Sequence, residues 1–265
     1  MPEIHTLLIG LTIALLLPAG VWLISLVKRD VSIVDSLWSL MFLALSLVYL
    51  VTHGEAIVRG QIVFALVLLW SLRLAIYITW RNWGEPEDAR YAAMRLKHGP
   101  GFAFKSLYIV FLLQGFIAWI VAMPLYAAIS SDAPLSILDG LALLLVIGGV
   151  LFESIADYQL AAFKEDAGNR GKVMDRGLWR YSRHPNYFGE CCVWWGFFLF
   201  AVASGGWWTI ISPLLMTILL LRVSGVALLE KDIVERRPGY RDYIARTNAF
   251  IPGTPRHLRK VLLSR

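Results

Sequence analysis

Several ionisable side chains sit inside stretches that are otherwise apolar: Asp35, Arg73, Glu153, Asp157, Glu190, Arg222 and Glu230. At bilayer depth each such charge costs roughly 2.5–3.5 kcal/mol, so each marks a functional site by default. Glu153 and Asp157 are four residues apart and share a helix face. Arg222 and Glu230 fall within about 80° of each other around a helix. All but Asp35 and Arg73 belong to the last three apolar runs, a grouping that suits a water-accessible polar site better than isolated packing ion pairs or snorkelling ends. Just before the sixth run stands Gly177-Leu178-Trp179-Arg180-Tyr181-Ser182-Arg183-His184-Pro185-Asn186-Tyr187-Phe188-Gly189-Glu190. Pro185 suits the first turn of a helix. The free amides of that turn, flanked by Lys164, Lys172, Arg180 and Arg183, favour an anionic group such as a phosphate. There is no P-loop and no GxGxxG, so a nucleotide here would be held without a Rossmann unit. Cys191 and Cys192 are adjacent in an apolar run and have neither metal-ligand nor disulfide-framework spacing. They read as small buried residues, and no metal is expected.

The elements that must carry these residues are membrane helices. The chain has 265 residues, 58% of them hydrophobic and 17% charged, with a mean hydropathy of +0.62. A soluble domain has too little interior for that apolar content, whereas a lipid-embedded bundle accepts apolar faces all round each helix. Seven runs reach spanning length: about Ile4–Val27, Ile33–Val51, Gln61–Trp80, Phe104–Ile129, Ile137–Phe163, Tyr187–Ser204 and Trp207–Glu230. The first has no charged segment before it and no cleavage site after it, and is expected to be a retained helix. Gly205 and Gly206 alone join the sixth and seventh, which predicts a tight helical hairpin. Of 25 Lys and Arg residues, 22 fall in alternate loops and the C-terminal tail, and only Arg59 lies on the other side. That asymmetry predicts an all-α, polytopic bundle of seven transmembrane helices, with the N-terminus outside and the C-terminus cytoplasmic. It forms a single membrane domain over 1–265, without linker or repeat. The net charge of +6 suits anionic headgroups or a phosphorylated ligand, not nucleic acid.

Five stretches resemble a known family: DVSIVDSLW (Asp30 to Trp38), RNWGEPEDARYAAMR (Arg81 to Arg95), ADYQLAAFK (Ala156 to Lys164), GLWRYSRHPNYFGE (Gly177 to Glu190) and LLEKDIVERRPGYRDYIARTNAFIP (Leu228 to Pro252). Together they resemble the membrane steroid 5α-reductase superfamily, most closely its bacterial branch of proteins of unknown function. Isoprenylcysteine carboxyl methyltransferases of the same superfamily share the Arg-His-Pro and the downstream Glu but typically carry an apolar residue where this chain has Asn186. The reductases are similar in having Asn, then Gly and an acid. An Asn amide offers both donor and acceptor, which suits a nicotinamide carboxamide.

The resemblance implies an oxidoreductase that reduces the C=C of a lipophilic enone with NADPH. The enone, steroid-like or another lipid, would enter from the bilayer of a bacterial inner membrane. Residues 1–130 would form the substrate side, and 131–265 the cofactor side facing the cytoplasm. Carried over by position, Glu153 and Asp157 contact the cofactor, Lys164 and Lys172 hold phosphates and Asn186 meets the nicotinamide. Arg180, Tyr181, Arg183, His184, Glu190, Arg222 and Glu230 complete that set. Lys stands where the steroid enzymes often have Arg, and lacks bidentate reach. Those enzymes polarise the substrate ketone with a Glu in span 2 and a Tyr in span 3. Here span 2 offers Asp35, and span 3 offers Trp70, Arg73 and Tyr77. Either Asp35 works with Arg73 or Tyr77 as the acid, or Asp35 and Arg73 form a structural bridge. The alternatives on this scaffold are an S-adenosylmethionine-dependent methyltransferase and a non-catalytic lipid-binding or transport protein. The missing inverted repeat speaks against the transporter.

Overall fold

The computed structural model describes residues 2–54, 58–223, 230, 233–237 and 239–256. The stretch 224–229 within the expected seventh span and the basic tail beyond Arg256 lie outside the described residues. The elements are α1 (Pro2–Lys28), α2 (Ile33–His53), α3 (Val58–Asn82), α4 (Ala89–Val121, through a 3-10 turn at Gly99–Gly101 and a π turn at Leu107–Leu112), α5 (Met123–Ile129), α6 (Ile137–Glu165), α7 (Pro185–Ala203), α8 (Trp207–Val223), α9 (Ile233–Arg236) and α10 (Tyr240–Arg246). Among the described residues the only extended pairing is an isolated bridge between Ser182 and Asn248.

Five of these helices, α1, α2, α3, α4 and α6, are long and apolar enough to cross a membrane. They expose large apolar side chains such as Leu16, Ile76 and Leu144, as a multi-pass integral membrane protein does. α7 carries Asn186 and Glu190 in its first two turns, and the described part of α8 is shorter. The fourth helix differs from the expected run Phe104–Ile129. It begins at Ala89, where Asp88 caps it by accepting the Arg90 amide at 2.9 Å. It stops at Val121, and Pro124, which has no N–H to continue the ladder, opens α5.

The chain divides into two compact units. The first comprises Met1–Asp139 and Phe200–Ser212. Within it α2 and α3 pack along Phe42, Leu45, Val67 and Trp70, and the Ser39 hydroxyl donates to the Ser71 carbonyl at 2.9 Å. Arg59, the lone cation expected on the far side, is fully buried. It donates to both Asp139 oxygens, at 2.7 and 3.0 Å, and to the carbonyls of Ala133 and Pro134. That clamp closes the turn before α6 and satisfies a charge that would be costly alone. The Gly205–Gly206 hairpin is present, with Gly205 at φ +85°.

The second unit comprises Gly140–Leu199 and Pro213–Arg265. Its frame is an antiparallel crossing of α6 and α7 at backbone contact. A Cβ added at Gly189 would lie 2.6 Å from the Glu153 nitrogen, and one at Gly149 would lie 2.7 Å from the Gly189 carbonyl oxygen. Further along, Gly196 meets Val146 in the same way. Small residues at such a seam are what allow apolar helices to approach closely.

Candidate functional site

The glycine crossing decides which side chains meet in the second unit. Glu153 and Asp157 follow it on α6, while Asn186 and Glu190 flank it on α7. Glu153, Asp157 and Glu190 are all buried, at 2%, 3% and 8% exposure. Asn186 Nδ2 donates to Asp157 Oδ1 at 3.2 Å. Asn186 Oδ1 is also buried, and no donor among the described residues reaches it. A buried amide oxygen left so costs about 1–3 kcal/mol, which makes it a ready acceptor.

The segment leading into α7 is laid along α6. Gly177, at φ +57°, lets the chain pass so close that an added Cβ would strike the Gln159 amide. Gln159 Oε1 then accepts the Leu178 amide at 2.9 Å, and Trp179 Nε1 donates to the Ala156 carbonyl at 3.0 Å. Arg183 turns inward. It donates to both Glu230 oxygens, at 2.7 and 3.0 Å, and to the Thr247 carbonyl at 2.8 Å. His184 Nε2 lies 3.0 Å from Glu230 Oε1, and the Tyr240 hydroxyl donates to the same oxygen at 3.3 Å. The structure therefore seats Arg183, His184 and Glu230 on one another. Together they tie the loop before α7 to Glu230, ahead of α9, and to Thr247, just past α10.

The remaining expected cofactor residues stand outside this cluster. Lys164 closes α6, Lys172 and Arg180 lie in the following loop, and all three are exposed, as is Tyr181. Arg222 sits exposed in the π turn Leu219–Val223. Among the described residues no group of three or more His, Cys, Asp and Glu is placed to hold a metal. Cys191 is buried, with Sγ 3.4 Å from the Thr217 hydroxyl, and both cysteines are free.

In the first unit Asp35 begins α2. Arg90 Nη2 donates to its Oδ2 at 2.5 Å, and the Tyr91 hydroxyl donates to its Oδ1 at 2.7 Å. Gln114 Nε2 lies 3.4 Å from the Tyr91 oxygen. The loop before α4 holds this arrangement. Ser32 Oγ accepts the Asp88 amide at 2.7 Å, while Glu87 accepts the Val31 amide and a two-pronged contact from Arg95. Burial pushes the Glu87 carboxyl up, but the Arg95 and Val31 hydrogen bonds outweigh it and keep it below the usual range. Arg73 lies over the Tyr77 ring, 5.5 Å from its centroid, with Arg81 at 5.9 Å from the same ring. Sequence reasoning did not single out Arg90 and Tyr91 as the partners of Asp35. The available signals were the RNWGEPEDARYAAMR stretch and the capping Asp88, which starts a helix early enough to bring Tyr91 in.

A family model described as "Protein of unknown function (DUF1295)" matches residues 21–247. The chain belongs to that family. It is also similar to an uncharacterised protein of Schizosaccharomyces pombe, C594.04c, with 28% identity over 278 residues, covering 92% of this chain and 79% of the relative. No solved structure matches. The family match spans Asp35 and Tyr91 as well as Asn186 and Glu230.

Proposed function

We propose that the protein is an NADPH-dependent membrane reductase that saturates the C=C bond of a lipophilic enone. The observation that carries this reading is the Asp35–Tyr91–Arg90 cluster. When a ketone enters, the Tyr91 phenol would turn its single O–H from Asp35 to the ketone oxygen, polarise it and stabilise the enolate that forms after hydride addition, while Arg90 keeps hold of the carboxylate. The cluster supplies the acid–tyrosine pair that the resemblance calls for, with the tyrosine on α4 where span 3 was expected to provide it. Asn186 supports the cofactor assignment. Its Oδ1 is a buried acceptor open to a carboxamide N–H, and its Nδ2 is fixed by Asp157. Lys164, Lys172 and Arg180 offer exposed cations for phosphates. Bound NADPH would supply the hydride, and a proton on the α carbon completes the reduction. Seven spans would lie in the membrane, with α7 and α8 as the sixth and seventh. The N-terminus would be outside and the loop carrying Lys172 and Arg180 in the cytoplasm, in keeping with the Lys/Arg asymmetry. The substrate would come laterally from the bilayer.

The test is ligand-dependent melting of the detergent-purified chain. NADPH should raise Tm by mass action, by about 2.7 kcal/mol of stabilisation at a hundredfold excess over Kd, while S-adenosylmethionine leaves it unchanged. Asn186→Ala should weaken the NADPH response at least tenfold. Protection by S-adenosylmethionine alone would sink the reductase reading in favour of methyl transfer.

A further inference from the structure

The second unit contains a cavity of about 270 Å³ lined by Asp175, Arg176, Gly177, Arg180, Arg246, Thr247 and Pro255. Arg180 is shared with the cations offered above to the cofactor phosphates; Arg176 and Arg246 are not. Three arginines and one aspartate line it, a local balance of about +2 that favours an anion. Their existing commitments are partial. Arg246 Nη2 is paired with Asp175, and both side chains remain 40% exposed. Arg176 Nη2 donates to Asn169 Oδ1 at 3.2 Å, and its guanidinium lies over the Phe163 ring at 5.4 Å, which fixes its direction while leaving other N–H groups unused. Among the described residues no acceptor pairs with the Arg180 guanidinium. Arg183, two turns of chain away from Arg176, shows the contrast, since its donors are spent on Glu230 and the Thr247 carbonyl.

The walls are also bound to one another by hydrogen bonds. Thr247 is buried, its hydroxyl 3.4 Å from the Arg180 carbonyl, and the Tyr243 hydroxyl donates to the Trp179 and Ser182 carbonyls. The Ser182 hydroxyl holds the Phe250 carbonyl at 2.7 Å, and the Gly253 amide donates to the Tyr181 carbonyl at 3.0 Å. Loop and C-terminal segment are thus tied together around the opening, which is a concavity built by the fold and not loose positive-inside charge.

We propose that this cavity is a binding site for a phosphomonoester, with Arg176, Arg180 and Arg246 as its ligands and Asp175 as a competing anion that occupies Arg246 when the site is empty. A phosphomonoester carries about −1.5 to −2 near neutral pH and accepts forked guanidinium hydrogen bonds. The volume falls just below the roughly 300–1,000 Å³ of drug-sized sites, so it takes a phosphate group and its first waters, not a whole dinucleotide. A free phosphate, the headgroup of an anionic lipid and the 2′-phosphate of a dinucleotide all present this chemistry. The site does not depend on the reductase reading, because inorganic phosphate alone probes it.

The experiment is titration of the full-length, detergent-purified chain with inorganic phosphate, against sodium chloride at matched ionic strength, read by calorimetry and by Tm. Phosphate should bind saturably and raise Tm. The Arg176→Gln/Arg180→Gln double variant should lose at least tenfold in affinity. Asp175→Asn, which frees Arg246, should bind several-fold tighter, a gain that simple destabilisation cannot produce and that stands even if the double variant fails to fold. Protection equal to that of chloride, or an affinity unmoved by Asp175→Asn, would overturn the proposal. Two further arms assign the source. Preferential stabilisation in phosphatidate over phosphatidylcholine nanodiscs, lost in the double variant, supports a lipid headgroup. NADPH protection exceeding that of NADH, with the difference lost in the double variant, supports a 2′-phosphate.

Discussion

Asp35 shows what a single residue leaves open until its neighbours are known. On its own it is an unexplained carboxylate at the mouth of a membrane helix. Held by Arg90 at one oxygen and Tyr91 at the other, it is the centre of a three-residue cluster that the proposed function reads as an acid pair. On the proposed function, Tyr91→Phe and Asp35→Asn should each lower turnover of a responsive enone by about 10²–10⁴-fold while leaving the NADPH-induced rise in Tm intact. Loss of both together would recast the cluster as structural. Glu230 makes the opposite case. It neutralises Arg183, which is 9% exposed at the side chain, so Glu230→Gln strands a largely buried cation. That substitution should cost roughly 3 kcal/mol, seen as a lower Tm with or without ligand.

At the scale of elements, the α6–α7 crossing does the positioning. Because Gly149 and Gly189 let the backbones touch, Asp157 reaches Asn186 and Glu153 is buried at the seam. A side chain at Gly189 must push the helices apart. Gly189→Val should therefore abolish the NADPH response while the protein still inserts, which fractionation and melting together would show. The loop before α4 has its own pH signature. Glu87 has a lower pKa folded than unfolded, so its stabilisation is complete above the ordinary glutamate range of about 4 and fades as pH falls through the folded value. Glu87→Gln should flatten that acid limb of the Tm profile. The change should be no more than about 1 kcal/mol, because its partner Arg95 is partly exposed.

At the scale of the whole molecule, five helices among the described residues have spanning length and composition, and the proposed reading adds α7 and α8 as two more spans. In a background lacking Cys191 and Cys192, a single cysteine at Asp132 should react with an impermeant maleimide from outside intact cells. One at Lys172 should react only after permeabilisation. Labelling of both from the same side would break the seven-span reading.

Sequence alone determined the membrane helices, because twenty-residue apolar runs have few other places to go. It also located the loop before α7, because Pro185 opens a helix and the Arg–His–Pro–Asn segment is dense in chemistry. It marked Asp35, Glu153, Asp157 and Asn186 as residues needing an explanation, since a polar group among apolar ones is costly wherever the chain folds. Which of them meet was not legible. Arg90 and Tyr91 lie more than fifty residues from Asp35, and Thr247 more than sixty from Arg183. Pairing over such separations is set by helix crossing and by where α4 starts, both of which are tertiary decisions. Arg183, Arg180 and Arg176 look alike as letters in one loop. Only folding turned the first inward onto Glu230 and left the other two on the wall of an open basic cavity, because a guanidinium's role depends on which acceptors the packed chain brings within reach.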